Sequence, residues 1–172
     1  KASDEIRARL QKIQGEEEQE SISDATKADL KDAAFAHLHN HTQFSVLQST
    51  IAINDLVKAS AKFKMPAVAM TDTGNMMGAF HFVSAVLNHN KAAEAKNKEL
   101  VENGEEPTET IIKPIVGCEF NICDDHKEKK KKDNGYQVVF LAKNKKGYHN
   151  LAKMSSIAYI DGFYYVPRID RA

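Results

Sequence analysis

The alternation of short apolar runs with longer amphipathic stretches constrains the fold of this chain most. AVAMT at 67–71 is short and almost continuously apolar, which is typical of a strand covered on both faces of a parallel sheet. Apolar runs also predict strands in FAHLHNHT, IVGCEFNI and YQVVFLA. Helical spacing predicts helices over 52–65, with Asn54 as a candidate N-cap, over 79–104 and over 146–160. The order β, α, β, α, β, β, α indicates an α/β domain with a largely parallel sheet.

The bulk properties exclude several classes of protein. The 172 residues, 42% hydrophobic and 28% charged, suit one globular domain, and zero formal net charge gives the whole chain no general attraction to nucleic acid. No apolar run approaches the length of a membrane span, and no signal peptide opens the chain. Cys118 and Cys123 have odd spacing, which in one strand points them to opposite faces and disfavours a disulfide. A reducing cytoplasm fits best. Without an initial Met, and ending on PRIDRA, the sequence predicts a fragment of a longer protein.

The first 33 residues differ from the rest. DEIRARLQKI has weak helical periodicity, and GEEEQESISD is acidic and contains a helix breaker. Little of this segment can be buried, so we expect residues 1–33 to be an acidic linker or tether from an upstream region. The alternative is a docking arm for a neighbouring domain. Residues 34–172 are the folded part.

Three alternating histidines, His37, His39 and His41, indicate a metal site. In a strand these side chains share one face, and imidazole suits zinc, iron or manganese. Asp72 ends the AVAMT strand and Glu119 lies in a later strand, so the carboxylates and imidazoles are expected to converge where parallel strands end. Such mixed ligands suit a hydrolytic metal centre. Alternatively, Asp72 is a turn or cap residue and Glu119 a paired, partly buried carboxylate.

Several segments together resemble a known family. HLHNHTQFSVL, MPAVAMTDTGNMMGAFHF, KPIVGCEFNI, VVFLAKNKKGYHNLAKMSS and GFYYVPRID resemble, in order, the polymerase and histidinol phosphatase (PHP) domain. The version they resemble stands at the front of the bacterial replicative DNA polymerase III alpha subunit. The resemblance implies that residues 34–172 are the N-terminal portion of a distorted (β/α)7 TIM-like barrel, its first half only.

The resemblance also assigns site residues. The family's metal ligands match His39, His41 and Glu119, with Asp72 and His37 in supporting positions. Three ligand positions of the family are substituted here, by Gln48, Thr73 and Gln137. A hydroxyl and neutral amides supply neither imidazole nor negative charge. The implied cofactor is therefore none, or one residual Zn, Mn or Mg ion, and a multinuclear centre is not expected.

The function expected from the resemblance is a structural, catalytically degenerate PHP segment. The parent chain would be a DNA-directed DNA polymerase, a nucleotidyltransferase that performs template-directed synthesis in chromosome replication. The alternatives are an active metal-dependent phosphoesterase, of proofreading or histidinol-phosphatase type, and a pure interaction module for a proofreading exonuclease. Expected partners are the remainder of the alpha chain, an exonuclease fused upstream or separate, and DNA through the parent polymerase, in the bacterial cytoplasm and with no membrane.

Two further stretches each allow two interpretations. The lysine run at 127–132 predicts a solvated hairpin tip, with contact to a DNA backbone as the alternative. We expect core or interdomain packing for Phe163, Tyr164 and Tyr165. These residues lie in a turn that Gly162 and Pro167 bound and fix. The alternative interpretation of these three residues is a platform on which bases stack.

Overall fold

A computed structural model describes residues 34–171, and its helices and strands follow the predicted alternation. Ala52, not Asn54, occupies the N-cap position of the first helix, and it makes no side-chain capping bond. The tether predicted for residues 1–33 lies outside the described residues. The elements in chain order are α1 (Ile53–Lys62), β1 (Ala67–Met70), α2 (Ala79–Glu102), β2 (Lys113–Ile122), β3 (Tyr136–Leu141), α3 (Lys145–Ile160) and β4 (Arg168–Ile169).

The sheet is built around β2, the longest strand. β1 pairs parallel with its first half and β4 pairs parallel with its last two residues, whereas β3 pairs antiparallel with its second half. The α/β prediction is confirmed, with an open sheet. The predicted parallel order does not extend to β3, because the connection from β2 to β3 contains no helix to carry a crossover. That connection ends at Gly135, whose φ of 69° provides the turn into β3.

The strand predicted for residues 35–42 is wrong, because this segment is extended but forms no regular ladder. It lies along the edge of β1, where Ala69 N donates to His37 O at 3.0 Å and Thr71 N donates to Asn40 O at 2.9 Å. The Asn40 side chain donates to Ala69 O at 2.9 Å, so an amide side chain replaces a backbone partner. The segment therefore reaches the carboxyl end of β1 without being a sheet strand.

Two apolar clusters cover the sheet. In the first, α1 and α2 pack on β1 through Val57, Val68, Phe82 and Val86, all buried. In the second, α3 packs on β2. Met76, in the turn between β1 and α2, contacts both clusters. Of the helices described, none combines the length and the apolar character needed to cross a membrane.

A buried arginine joins the end of the sheet to the long polar connection. Arg168 in β4 is fully buried, and its guanidinium donates to the carbonyl oxygens of Gly162 at 3.1 Å, Asp133 at 2.8 Å, His126 at 3.1 Å and Glu128 at 3.0 Å. A buried charge is tolerated when its donors are satisfied, and the five N–H groups of arginine suit several acceptors at once. Arg168 thus fixes the connection between β2 and β3.

We expect Gly162→Ala to destabilise the protein by more than about 2 kcal/mol, because overpacking forces backbone shifts. A Cβ at residue 162 would lie 1.9 Å from the carbonyl oxygen of Arg168. Gly147→Ala is the matched control, since its Cβ would meet no atom closer than 3.4 Å. At that helical position alanine should be neutral or stabilising by up to about 1 kcal/mol. Urea denaturation of both variants measures the difference, and equal midpoints would contradict the expectation.

Candidate metal centre

The centre forms where the backbone pairing of β1 with β2 continues past the end of β1. Glu119 N donates to Asp72 O at 3.1 Å, and Gly74 N donates to Glu119 O at 2.7 Å. These bonds place Glu119 beside the turn that follows β1. The extended segment on the other edge of β1 brings His39 and His41 to the same place. Topology therefore brings Glu119 together with two of the three histidines, which is part of the convergence that the sequence predicted.

Three donor atoms meet there. His39 Nε2 lies 2.8 Å from Glu119 Oε2, and His41 Nε2 lies 3.5 Å from Glu119 Oε1. The two Nε2 atoms are 3.3 Å apart. The Glu119 side chain is only 3% exposed, whereas that of His39 is 54% exposed. A buried carboxylate thus forms the floor of the group, and the imidazoles close it from the solvent side.

Two of these three distances suit one divalent ion. Ligand atoms about 2.0–2.1 Å from a tetrahedral zinc ion lie roughly 3.3–3.4 Å from each other. The separations between the two imidazole nitrogens and between His41 and Glu119 are close to that value. The 2.8 Å separation of His39 from Glu119 is that of a hydrogen bond. Two imidazole nitrogens this close to a carboxylate need a proton or a cation between them.

His37 does not join the group, although the alternation of histidines predicted a shared face. It is exposed, and its ring stands edge-on to Phe35 with 4.8 Å between centroids. Its carbonyl oxygen accepts from Ala69, in the middle of β1. The donor atoms gather beyond the end of β1, so His37 lies too early along the extended segment to reach them.

Asp72 lies beneath the histidine segment and does not reach the donor group. It is fully buried, and its carboxylate accepts from Thr42 N at 2.6 Å, Thr42 Oγ1 at 2.7 Å and Ser45 Oγ at 2.6 Å. These bonds hold the turn that directly follows His41. Neither Thr42 nor Ser45 was predicted from the sequence to belong to the site. A hydroxyl-rich turn after a metal-type motif is the signal that points to them.

The three positions that the resemblance implies to be substituted, Gln48, Thr73 and Gln137, face one cleft. Thr73 Oγ1 donates to Gln48 Oε1 at 2.6 Å and has Glu119 Oε1 as a second acceptor at 3.2 Å. Gln137, opposite Asn121 in the β2–β3 pairing, lines the same cleft of about 270 Å³. All the side chains that line it are uncharged. The cleft therefore adjoins the candidate metal ligands but adds no charge to them.

A second group of potential ligands was missed in the sequence. Donor atoms of Asp125, His126 and Asp170 lie within 4.8 Å of one another. His126 Nδ1 is 2.6 Å from Asp170 Oδ2, which is shorter than the separation of two ligands of one ion. The pair is better described as a hydrogen-bonded contact between the β2–β3 connection and the residues after β4. Its members are far apart in sequence and follow no metal motif.

Cys118 lies behind the centre and is not a ligand. It is fully buried, its thiol donates to Asp72 O at 3.2 Å, and burial raises the pKa of this thiol to about 12. A protonated thiol is a poor metal ligand and a poor nucleophile. Cys118 and Cys123 are both free, which agrees with the expectation that they form no disulfide.

Comparison with known proteins gives a consistent assignment. The model of the PHP domain family matches residues 37–172. The chain is 36% identical over 138 residues to the DNA polymerase III subunit alpha of Chlamydia trachomatis, with 78% of this chain and 10% of the relative covered. The subunits from Borreliella burgdorferi and Thermus aquaticus are 38% and 40% identical over 141 and 144 residues, each with 80% of this chain and 10% of the relative covered. The chain spans about a tenth of the length of these curated relatives.

We expect Asp72→Ala to destabilise the protein by about 2–4 kcal/mol, because three buried donors lose their acceptor. Asp72→Asn is the matched control. Its amide oxygen keeps the bonds from Thr42 N and Ser45, and its amide nitrogen can donate to the Thr42 hydroxyl. Its loss should be nearer 1 kcal/mol. Urea denaturation compares the variants, and equal losses would show that the charge, not the bonding, matters.

Stability should also fall at high pH because of Cys118. An unfolded cysteine ionises near its usual pKa of 9.0, whereas the buried thiol has a pKa of about 12. The raised value favours the folded state fully below pH 9 and progressively less above it. At pH 10.5 the loss is about 2 kcal/mol, at 1.36 kcal/mol per pH unit. Urea midpoints at pH 7, 9 and 10.5 should fall less steeply for Cys118→Ala than for the unaltered chain, and parallel curves would rule out this source.

Proposed function

The chain belongs to the PHP domain family, and we propose that it is the first half of a distorted (β/α)7 barrel in a bacterial DNA polymerase III alpha subunit. The proposal is supported by identities of 36–40% to several such subunits over about four-fifths of this chain. The open sheet is compatible with a partial barrel. The activity proposed for the parent is template-directed DNA synthesis in the bacterial cytoplasm, by parts of the protein other than this segment.

Within that parent, the role proposed for this segment is structural, because its site lacks the charge for a multinuclear metal centre. The observation that carries this proposal is the hydrogen bond between Thr73 and Gln48 beside Glu119. At positions where the family supplies an imidazole and a carboxylate, this chain supplies a hydroxyl and an amide that satisfy each other. Two or three neighbouring cations need several anionic ligands to offset their repulsion. Glu119 is the one carboxylate in the candidate ligand group at this site.

A single ion remains compatible with the residues present. His39, His41 and Glu119 would hold one Zn, Mn or Mg ion, with Asp72 fixing the turn that positions the histidines. When bound, such an ion lowers the pKa of a coordinated water and polarises phosphoryl oxygens. The buried Glu119 carboxylate offsets part of the ion's charge. His39, largely exposed, is the ligand most open to exchange with solvent.

An active phosphoesterase is the second candidate function. It is favoured by the convergence of two imidazoles and a carboxylate beside a cleft of about 270 Å³. The uncharged lining of the cleft opposes it, since a phosphoester carries negative charge and meets no cationic side chain there.

A platform for a proofreading exonuclease and for the polymerase body is the interaction role we propose. Val46 and Leu47, in the turn after the histidines, are exposed, and Leu47 has its entire side chain in solvent. Exposed apolar side chains beside a binding cleft are suited to contact with another protein surface. The partners of the segment would thus be the rest of the alpha chain and an exonuclease, with DNA held by the parent polymerase.

After saturation with zinc or manganese and extensive dialysis, we expect no more than one bound ion per chain. His39→Ala should lower that content, because the group loses one of its three donors. The combined variant Gln48→Asp, Thr73→His, Gln137→His restores family-type ligands and should bind more than one ion. Elemental analysis measures the content, and two or three ions in the unaltered chain would refute the degenerate site.

The same proteins separate the two candidate functions. Hydrolysis of a generic phosphodiester, with and without manganese or zinc, should not exceed that of His39→Ala. Activity in the unaltered chain that a chelator abolishes would establish the phosphoesterase instead.

A further inference from the structure

We propose that the connection between β2 and β3, residues 123–135, forms with Tyr165 a binding surface for single-stranded nucleic acid. We call residues 123–135 the lysine loop. None of its residues belongs to the candidate metal centre, so this inference goes beyond the proposed function and does not depend on the metal content of the site.

The lysine loop presents a dense group of positive charges that form no ion pair within the described residues. Each of its five lysines is exposed, and within residues 34–171 none of them forms an ion pair. Ammonium groups without an internal partner are free to replace the counterions of a phosphate backbone. The lysines are Lys127, Lys129, Lys130, Lys131 and Lys132.

The carboxylates of the loop mostly bind its own backbone. Asp125 accepts from Lys127 N at 2.8 Å, and Glu128 accepts from Lys130 N. Asp133 accepts from the backbone N–H groups of Gly135 and Asp124, which hold the pKa of Asp133 below its usual value. Three of the loop's four carboxylates therefore shape its turns instead of pairing with its five ammonium groups.

The loop is also held in place from beneath. The Arg168 guanidinium donates to the carbonyl oxygens of His126, Glu128 and Asp133, and Cys123 N donates to Ile169 O at 2.9 Å. A binding surface whose backbone is already ordered loses less conformational freedom when a ligand binds. The solvated hairpin tip predicted from the sequence is thus confirmed in its exposure, but its base is anchored to a buried cation.

Tyr165 supplies an aromatic ring beside these charges. It is 64% exposed, so of the two predicted kinds of packing the core packing is wrong for this residue, and interdomain packing stays a prediction. Its φ of 64° is uncommon for a residue with a side chain, and Tyr164 N donates to Val166 O across it at 3.1 Å. Strained backbone of this kind is concentrated at functional sites. Lys132 Nζ lies 4.9 Å from the centroid of the Tyr165 ring, so a cation and a ring share one surface.

This combination matches single strands better than duplexes. A basic surface contacts the phosphates, and an exposed ring stacks on a base, which must be unpaired to be reached. The buried Arg168 does not take part in contact, because its donors are already used by carbonyl oxygens. The affinity should therefore depend on salt and on the Tyr165 ring, with little dependence on base sequence.

Fluorescence anisotropy tests the proposal with the full 172-residue chain, a labelled 20-nucleotide oligothymidylate and a labelled duplex of the same length. We expect the single strand to bind more tightly than the duplex and both affinities to fall with added salt. Lys129→Glu with Lys130→Glu and Lys131→Glu should weaken single-strand binding by roughly tenfold or more through lost phosphate contacts. The matched control, Lys58→Glu with Lys91→Glu and Lys153→Glu, changes the net charge equally at exposed positions outside the loop.

The ring is tested separately. Tyr165→Gly removes the ring, and glycine tolerates the positive φ at this position. It should lower single-strand affinity by about fivefold without lowering the thermal midpoint. Tyr165→Phe keeps a ring that stacks and should bind as the unaltered chain does. Circular dichroism checks folding, and Lys→Gln at residues 129–131 replaces the charge reversal if that variant unfolds. Absence of binding at low salt, equal weakening by the two lysine sets, or an unchanged affinity in Tyr165→Gly would each overturn the proposal.

Discussion

The buried carboxylate of Asp72 is the interaction on which the rest of this structure depends. Its two oxygens accept from Thr42 and Ser45, and its backbone carbonyl accepts from Glu119 N. One residue thus joins the histidine segment, the end of β1 and the middle of β2. A buried charge without partners would strongly destabilise the fold, so its three donors and the turn that presents them form a single unit.

In this site, shape and charge come from different residues. The position of His41 follows from the turn held by Asp72, whereas the charge of the centre comes from Glu119. Thr73 and Gln48 do not disturb this shape, because the two neutral side chains bond to each other beside Glu119. The side chains that shape the site are therefore not those that would hold an ion.

The helices and the strands β1, β2 and β3 were predicted from periodicity and apolar runs, because burial of one face or of both faces requires apolar residues at regular positions. Pairing direction can be inferred only from the connections: the hairpin tip predicted at residues 127–132 implies that β2 and β3 are antiparallel, as they are in the structure. Alternation predicted a shared face for three histidines, but it carries no information on where β1 ends, and so His37 was misplaced. Likewise, the resemblance identified Gln48 and Thr73 as substituted, although their mutual hydrogen bond requires coordinates.

The middle and the end of β2 contribute to two unrelated surfaces. Near its middle, Glu119 faces the imidazoles, while Cys118, one residue earlier, points into the core, as the period of a strand requires. Past its last residue the chain enters the lysine loop, whose backbone is fixed by Arg168 from β4. Because β4 pairs with the end of β2, the arginine that orders the loop is positioned by the strand that carries the carboxylate. A change of charge at the candidate metal centre would therefore leave the loop's support unaffected, since the two share a strand but no hydrogen bond among the described residues.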